Sequence, residues 1–192
     1  MGGRQPWARR VTYWLEPKNW LIVTVIAVGW HADGRAGAGW GLLAALFTAV
    51  LPTLFISYGV RHGRWSDRNV GARGPRLAVL AFITASVAAG LILLVVLGAP
   101  RLLTGYLAFM LASVAVLALV TVVWKISIHC AVASGSVAIL AFTLGPLVLC
   151  AYVLVVLLGW SRVEVEDHTV AQVAAGAVLG AVAAALAYAV LV

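Results

Sequence analysis

Residues 129–160 read HCAVASGSVAILAFTLGPLVLCAYVLVVLLGW, an apolar run with Gly145-Pro146 near its middle. A helix of about 30 residues would be about 45 Å long, whereas about 20 residues suffice to cross the hydrocarbon core of a bilayer. A Gly-Pro pair removes a backbone N–H donor and favours a turn. The run is therefore either one long kinked span or a hairpin of two short helices, and its periodicity does not choose between them.

The rest of the chain has the composition of a polytopic membrane protein. Of its 192 residues, 64% are hydrophobic and 10% are charged, whereas a soluble domain carries about 25% charged residues. Polar side chains are too few to cover a globule, so we expect one membrane domain over residues 1–192. Disordered chains, secreted disulfide scaffolds and soluble nucleic-acid-binding domains are disfavoured. The net charge of +7 indicates membrane topology and contact with anionic lipid headgroups.

Six apolar runs predict the spans of an all-α helical membrane bundle. They cover residues 20–30, 39–60, 77–97, 102–123, 129–160 and 169–192. We expect six or seven spans, with a short hairpin broken at Gly145-Pro146. The first run is the shortest, so it is either a tilted span or a partial span extended by its flanks. Residues 1–18 predict an amphipathic interfacial tail, and Cys130 and Cys150, both in apolar runs, are predicted to be buried.

Outside the tail, polar residues gather at three boundaries, residues 61–76, 124–129 and 160–172. Taken alone, an Arg-rich loop is typical of a topology anchor, and a single histidine at a helix start is typical of an interfacial side chain. Together the segments supply two histidines, His129 and His168, with arginines, a lysine and serines nearby. Phosphoryl transfer requires a nucleophile, a general acid and cations, and helix N-termini add N–H groups that bind phosphate.

The third boundary carries the most specific pattern. Ser161-Arg162 is followed after five residues by His168 and, after three more, by Gln172. This spacing resembles SRxxxxxHxxxD, the third motif of the phosphatidic acid phosphatase type 2 superfamily, membrane lipid phosphatases related to vanadium haloperoxidases. Gln172 stands where the family has Asp.

The second family motif, PSGH, has a partial counterpart at the second boundary. Ser127 and His129 stand at the serine and histidine positions, while Ile126 and Ile128 replace the proline and the glycine. We therefore align His129 with the motif histidine.

The first family motif, KxxxxxxRP, has the weakest counterpart. Arg76 stands at the arginine position, Asn69 replaces the lysine and Leu77 replaces the proline. With this motif included, the resemblance covers residues 69–172.

The resemblance implies a metal-independent lipid phosphatase that needs no cofactor. It implies that His168 is the nucleophile forming a phosphohistidine, and that His129 protonates the leaving oxygen and then activates water. It assigns the phosphate oxygens to Arg162, Arg76, Ser127 and Ser161. The candidates that replace the absent motif lysine are Lys125 and Arg73. Gln172, one helical turn from His168, would orient that ring through its amide oxygen.

If His129 and His168 share one phosphate, they must lie on the same face of the membrane. That requires an even number of crossings between them, so the chain would turn back at the Gly-Pro pair. The hairpin would consist of two short helices, about residues 130–144 and 147–160. One kinked span would instead separate the histidines by the thickness of the membrane.

Two further predictions concern the surroundings of this site. Gly176-xxx-Gly180 in the last span permits close helix packing that would support the helix after His168, with dimerisation as the weaker alternative. The acidic residues expected to be solvated boundary charges are Asp67, Glu164, Glu166 and Asp167.

The distribution of cations predicts the orientation of the protein. With the N-terminus on the active-site side, eleven Lys and Arg residues lie on that side, and only Arg35 and Arg101 lie on the other. The positive-inside rule then places the site on the cytoplasmic face of the cell membrane. The expected activity is hydrolysis of a phosphate monoester or diphosphate of a polyprenyl lipid or glycerolipid. The alternatives are a non-catalytic lipid-phosphate-binding or transport protein and, with less support because no Asp-rich metal motif is present, a prenyl-transferring or cyclising enzyme.

Overall fold

The computed structural model describes residues 5–65 and 73–191, and all regular structure in these ranges is helical. The elements are α1 (Gln5–Trp14), α2 (Pro17–Ala45), a π-helical segment (Leu46–Val50), α3 (Leu51–Arg61), α4 (Arg73–Val96), α5 (Arg101–Val123), α6 (Ile128–Leu144), a 3-10 helix (Pro146–Ala151), α7 (Tyr152–Glu164) and α8 (Val170–Leu191). The predicted all-α bundle is confirmed.

The helix α2 consists of two antiparallel arms. Asp33 and Gly34 leave the helical region, Gly34 with a φ of 52°, and the chain reverses there. A Cβ atom on Gly29 would collide with the Gly37 carbonyl oxygen, and one on Gly37 with the Gly29 carbonyl oxygen. Because both positions lack a side chain, the two arms touch through their backbones.

Residues 5–65 and 73–191 therefore form seven apolar helical segments that alternate in direction. In these ranges five stretches are long and apolar enough to cross a membrane, and the first of them, Pro6–Arg61, contains the reversal in α2. The remaining apolar helix is the shorter Ile128–Leu144. The predicted membrane bundle of six or seven spans is confirmed. The short first run is extended by its flanks, since the first arm begins at Pro17.

The chain also reverses at Gly145, as the hairpin alternative requires. Gly145 has a φ of 115°, which a residue without a side chain adopts at little cost, and Pro146 begins the 3-10 helix. The Ser134 hydroxyl donates to the Tyr152 hydroxyl at 3.3 Å, so α7 runs back along α6. The single kinked span is thereby excluded.

The two cysteines differ in environment. Cys130 is buried beside Ala133, Val137 and Leu158, as predicted. Cys150 is exposed, so its predicted burial is wrong. It lies in the 3-10 helix, none of whose residues is fully buried, and its own side chain faces the outside of the bundle. In a bilayer that surface faces lipid, which satisfies an apolar side chain as well as a protein core does.

Distant parts of the chain meet at one end of the bundle, here called the polar end. The Ser127 N–H donates to the Gln172 carbonyl at 3.1 Å, which joins the segment before α6 to the first turn of α8. The Thr12 and Ser161 hydroxyl oxygens lie 3.0 Å apart and join α1 to α7. The turns at the opposite end contain Gly34, Gly98 and Gly145, each with a positive φ.

The predicted glycine contact of the last span is made within the chain. A Cβ atom on Gly176 would collide with the Ser127 carbonyl, and one on Gly180 with the Ala131 carbonyl. These two glycines therefore bring α8 into backbone contact with the start of α6. The contact fixes the segments that carry His129 and His168 relative to one another.

The tail forms a short helix, α1, with one buried and one exposed face. Ala8 is fully buried, while Trp7, Tyr13 and Trp14 are exposed. The Arg10 guanidinium lies 5.1 Å from the centre of the Trp7 ring. Exposed aromatic and basic side chains are typical of a helix at the membrane interface, and the interfacial position of this tail stays a prediction.

Candidate functional site

A cavity of about 180 Å³ lies near the polar end, among the helices α2 to α6. The charged and titratable side chains that line it are Glu16, Lys18, Arg76, His129, Arg162 and His168. They come from α2, α4, α6 and α7, from the loop between α7 and α8, and, for Glu16, from the link between α1 and α2. The reversal at Gly145 brings the two histidines, 39 positions apart in the chain, to the same cavity.

The end of α7 holds His168 in place. Glu166 has a φ of 59°, its N–H donates to the Val163 carbonyl at 3.0 Å, and the Asp167 N–H donates to the Arg162 carbonyl at 3.2 Å. This pair of bonds is the Schellman arrangement that ends many helices. The His168 N–H also donates to the Arg162 carbonyl at 3.2 Å, so the backbone at His168 is tied directly to α7.

Gln172 fixes the orientation and tautomer of the His168 ring. Its Oε1 lies 3.2 Å from His168 Nδ1 and accepts the Thr169 N–H at 3.1 Å. Because Oε1 only accepts, Nδ1 carries the hydrogen and Nε2 keeps the lone pair. The contact expected between Gln172 and His168 is present, and it leaves Nε2 available for nucleophilic attack.

Arg162 lies almost completely out of solvent, with 1% of its surface exposed, and lines the cavity. Its Nη2 is 2.7 Å from Asp167 Oδ2. The expectation that Asp167 is a solvated charge is therefore wrong, because its carboxylate compensates a buried guanidinium. Glu166 is exposed and Glu164 is half-buried, whereas Asp67 lies outside the described residues.

Arg76, near the start of α4, is the second buried cation on the cavity, with 5% of its surface exposed. Its Nη2 donates to the Ile126 carbonyl. Its Nε has no hydrogen-bond partner among the described residues. A buried guanidinium N–H is costly unless it is bonded, so an anion in this cavity would find a donor already desolvated.

Ser127 and Ser161 are buried but are not among the residues that line the cavity. The Ser127 hydroxyl accepts the Cys130 N–H at 3.5 Å and caps α6. The Ser161 hydroxyl donates to the Leu158 carbonyl at 2.7 Å and contacts Thr12. Hydroxyl groups commonly satisfy local backbone groups in this way. Contact of Ser161 with a phosphate would require its bond to the Leu158 carbonyl to be exchanged, whereas the Ser127 hydroxyl can donate its hydrogen while it still accepts the Cys130 N–H.

The two candidates for a replacement cation have different outcomes. Lys125 is half-buried and its Nζ donates to the Asp167 carbonyl at 2.7 Å, which places its charge beside His168 but not on the cavity wall. Arg73 begins α4, and its side chain lies outside the described residues, as does Asn69.

The electrostatic environment keeps His168 neutral. Burial lowers the pKa of His168 from 6.5 to about 4, helped by the positive charges of Arg162, Lys125 and Arg76 and opposed by the hydrogen bond to Gln172. At neutral pH the ring is therefore unprotonated. The neutral ring is the nucleophilic form of histidine.

Lys18 is a cavity cation that sequence reasoning missed, because it was counted only as a charge of the tail. It lies in the first turn of α2, and its Nζ is 2.7 Å from Glu16 Oε2. A cation in the first helical turn is opposed by the helix dipole. That unfavourable position is a signal in the sequence that the Lys18 charge has an anionic partner, and in the structure this partner is Glu16.

The remainder of the cavity wall is mostly apolar. The apolar residues from α4 and α5 include Leu80, Ile83, Met110, Val114 and Leu117. The cavity therefore has a basic part at the polar end and a hydrocarbon part deeper in the bundle. This division matches an amphiphile with an anionic headgroup.

Comparisons with models of protein families, with curated proteins and with solved structures found no match. Within residues 5–65 and 73–191, no three His, Cys, Asp or Glu side chains are grouped as metal ligands. Fold and site together define the class of this protein as an integral membrane helical bundle with a buried basic cavity.

Proposed function

We propose that the protein is a membrane lipid phosphatase of the phosphatidic acid phosphatase type 2 kind. The observation that carries the proposal is the cavity that joins two histidines and two buried arginines to an apolar compartment. The substrate would be a phosphate monoester or diphosphate whose hydrocarbon tail stays in the apolar part. Its headgroup would meet the basic part.

The first chemical step would be attack of His168 Nε2 on phosphorus. The bond from phosphorus to the lipid oxygen breaks, and His129 donates a proton to that oxygen. In the second step His129 takes a proton from water, and the resulting hydroxide displaces His168 from phosphorus. Phosphate is released, the lone pair returns to Nε2, and His129 is again protonated, so the cycle closes without another reactant.

The positive groups around the cavity would stabilise the transferring phosphoryl group. The buried cations Arg76 and Arg162 supply charge-assisted hydrogen bonds to its oxygens, as guanidinium groups do in phosphate sites. Lys18 would supply a third charge in place of the absent motif lysine by exchanging its partner Glu16 for the phosphate. The negative charge of the bound phosphate would favour the protonated form of His129, which the first step requires.

A phosphate-release assay in detergent with EDTA tests the proposal. We expect the wild-type protein to release phosphate from prenyl phosphates or from phosphatidate, and His168→Ala to abolish that release. His129→Ala should slow it by about 10²–10⁴-fold, as loss of a general acid does. His62→Ala is the matched control, since His62 is exposed and stacks on Tyr58 away from the cavity.

The covalent intermediate gives a second readout. Incubation of His129→Ala with a lipid phosphate labelled in the phosphoryl group should leave an acid-labile label on residue 168. A wild-type protein that binds lipid phosphates but releases no phosphate from any of them would contradict the proposal. That result would favour the alternative of a non-catalytic lipid-phosphate-binding or transport protein.

A further inference from the structure

A second, smaller cavity of about 60 Å³ lies between α5 and α8 and is floored by α6. Small residues make room for it on two helices: Ala131 and Gly135 on α6, and Gly180, Ala183 and Ala187 on α8. Together with Phe109, Ser113 and other α5 residues they form a groove. Phe109, Ser113 and Ala183 are half-buried, so the groove reaches the outer surface of the bundle.

The groove adjoins the basic cavity. Five residues line both spaces, namely Leu21, Met110, Val114, Leu117 and Val132. Along α6, His129 lines the cavity, Val132 lines both spaces, and Ser136 lines the groove. Residues at these spacings share one face of a helix. The seven residue steps from His129 to Ser136 cover about 10 Å along the axis of α6.

The direction of this path is set by the antiparallel packing of α5 and α8. On α8 the lining residues run from Leu179 to Ala187, and on α5 from Leu117 back to Tyr106. Both lead away from the polar end, towards the opposite end of the bundle. Eight positions of α8 correspond to about 12 Å.

From this adjacency we infer that the α5–α8 groove binds the hydrocarbon chain of the substrate, and that the substrate is a lipid phosphate with a single chain. The inference rests on the proposed function for the identity of the headgroup. The groove is bounded mostly by small residues on α6 and α8 and by larger side chains of α5 such as Phe109, and at about 60 Å³ it is too small for two chains side by side. A lipid with two chains would have to leave the second outside the protein.

Photo-crosslinking tests the chain site without requiring turnover. The probe is geranylgeranyl phosphate with a diazirine in the chain, and the crosslinked peptides are mapped by mass spectrometry. We expect adducts on α5 around residues 109–117 and on α8 around residues 179–187. Ala183→Trp, which fills the groove, should reduce the adducts about tenfold or more. Ala185→Trp is the matched control, because Ala185 is exposed on the same helix and does not line the groove.

Adducts confined to helices other than α5, α6 and α8, or equal labelling of the two tryptophan variants, would overturn the inference. Equal competition by dioleoyl phosphatidate and by unlabelled geranylgeranyl phosphate would overturn the restriction to one chain. Phosphate release by the same protein is scored separately. Labelling of the groove without any hydrolysis would support the chain site and contradict the phosphatase, so the two proposals fail independently.

Discussion

At the scale of single residues, the site depends on which polar atoms already have partners. The Gln172 amide oxygen holds the His168 Nδ1 hydrogen and thereby presents Nε2. An Asp at this position would add a negative charge and stabilise the protonated ring, whereas a neutral amide orients the ring without that effect. The departure from the family motif is therefore compatible with a neutral nucleophile.

The low pKa of His168 leads to a prediction about stability. The folded-state pKa, about 4, lies below the ordinary 6.5, so the unfolded chain binds more protons between these values. The contribution of neutral His168 to the free energy of unfolding is complete above about pH 6.5 and is lost as the pH falls towards 4. Thermal unfolding in detergent should show this loss in the wild type and a smaller loss in His168→Gln.

The control for this measurement is His62→Gln, because His62 is exposed. It should keep the wild-type pH dependence. An unchanged pH dependence in His168→Gln would show that the burial of this ring does not contribute to it.

Lys18 provides a second prediction at this scale. Lys18→Met should raise the KM for a lipid phosphate about tenfold, since a hydrogen bond to a charged group contributes about 1.5–3 kcal/mol, with a smaller effect on kcat. Lys18→Arg should restore most of the affinity. Arg9→Met, which removes an exposed cation of α1, should leave KM unchanged. Equal effects of Lys18→Met and Arg9→Met would mean that Lys18 does not contact the headgroup.

At the scale of elements, backbone contacts and irregular turns position the site. The π-helical segment before α3 is one example, because Thr48 and Ala49 in it line the cavity. Pro52 has no N–H to offer, and the Phe47 carbonyl five residues earlier accepts the Ser86 hydroxyl of α4 at 2.6 Å. The Ser86 hydroxyl thus replaces the backbone donor that Pro52 lacks. The Phe47 carbonyl stays hydrogen-bonded, and the π-helical turn beside the cavity is tolerated.

The contact between α6 and α8 gives a prediction for this scale. Gly180→Ala should lower the free energy of unfolding by about 1–3 kcal/mol, the usual cost of overpacking, because the added Cβ would collide with the Ala131 carbonyl. Gly39→Ala is the matched control, since a Cβ there has nothing within 4 Å and the helix gains about 0.5–1 kcal/mol. Thermal or denaturant unfolding in detergent measures both, and equal effects would contradict the close contact.

At the scale of the whole molecule, the seven alternating segments place the two chain ends on opposite sides of the bundle. Lys18, Arg76, Lys125 and Arg162 lie at the polar end, while Arg35 and Arg101 lie beside the turns of the other end. The positive-inside rule favours a cytoplasmic polar end. The proposed site would then act on headgroups at the inner leaflet.

Reporter fusions test this orientation. A fluorescent protein fused to the N-terminus should be fluorescent, as it is when cytoplasmic, and alkaline phosphatase fused to the C-terminus should be active, as it is when exported. Two reporters on the same side would contradict the seven crossings. The inverse pattern would keep the crossings and place the polar end outside the cell.

The sequence by itself determined the membrane class and most of the helices. The scarcity of charge and the length of the apolar runs determine both features. The free energy of placing a segment in hydrocarbon depends only on the residues of that segment. The third boundary also pointed to His168, Arg162 and Gln172, since a short motif and one helical turn are local too. At Gly145-Pro146 the sequence did not choose between a kinked span and a hairpin.

Only the tertiary structure decided which partners the polar atoms have. The reversal at Gly145 brings His129 to His168, the burial of Arg162 recruits Asp167, and Lys18 reaches the cavity from a segment that the motifs do not include. The same packing turned the Ser127 and Ser161 hydroxyls to backbone groups. These outcomes depend on contacts between residues far apart in the chain, and their energies are set by burial and close backbone approach, which no local pattern encodes.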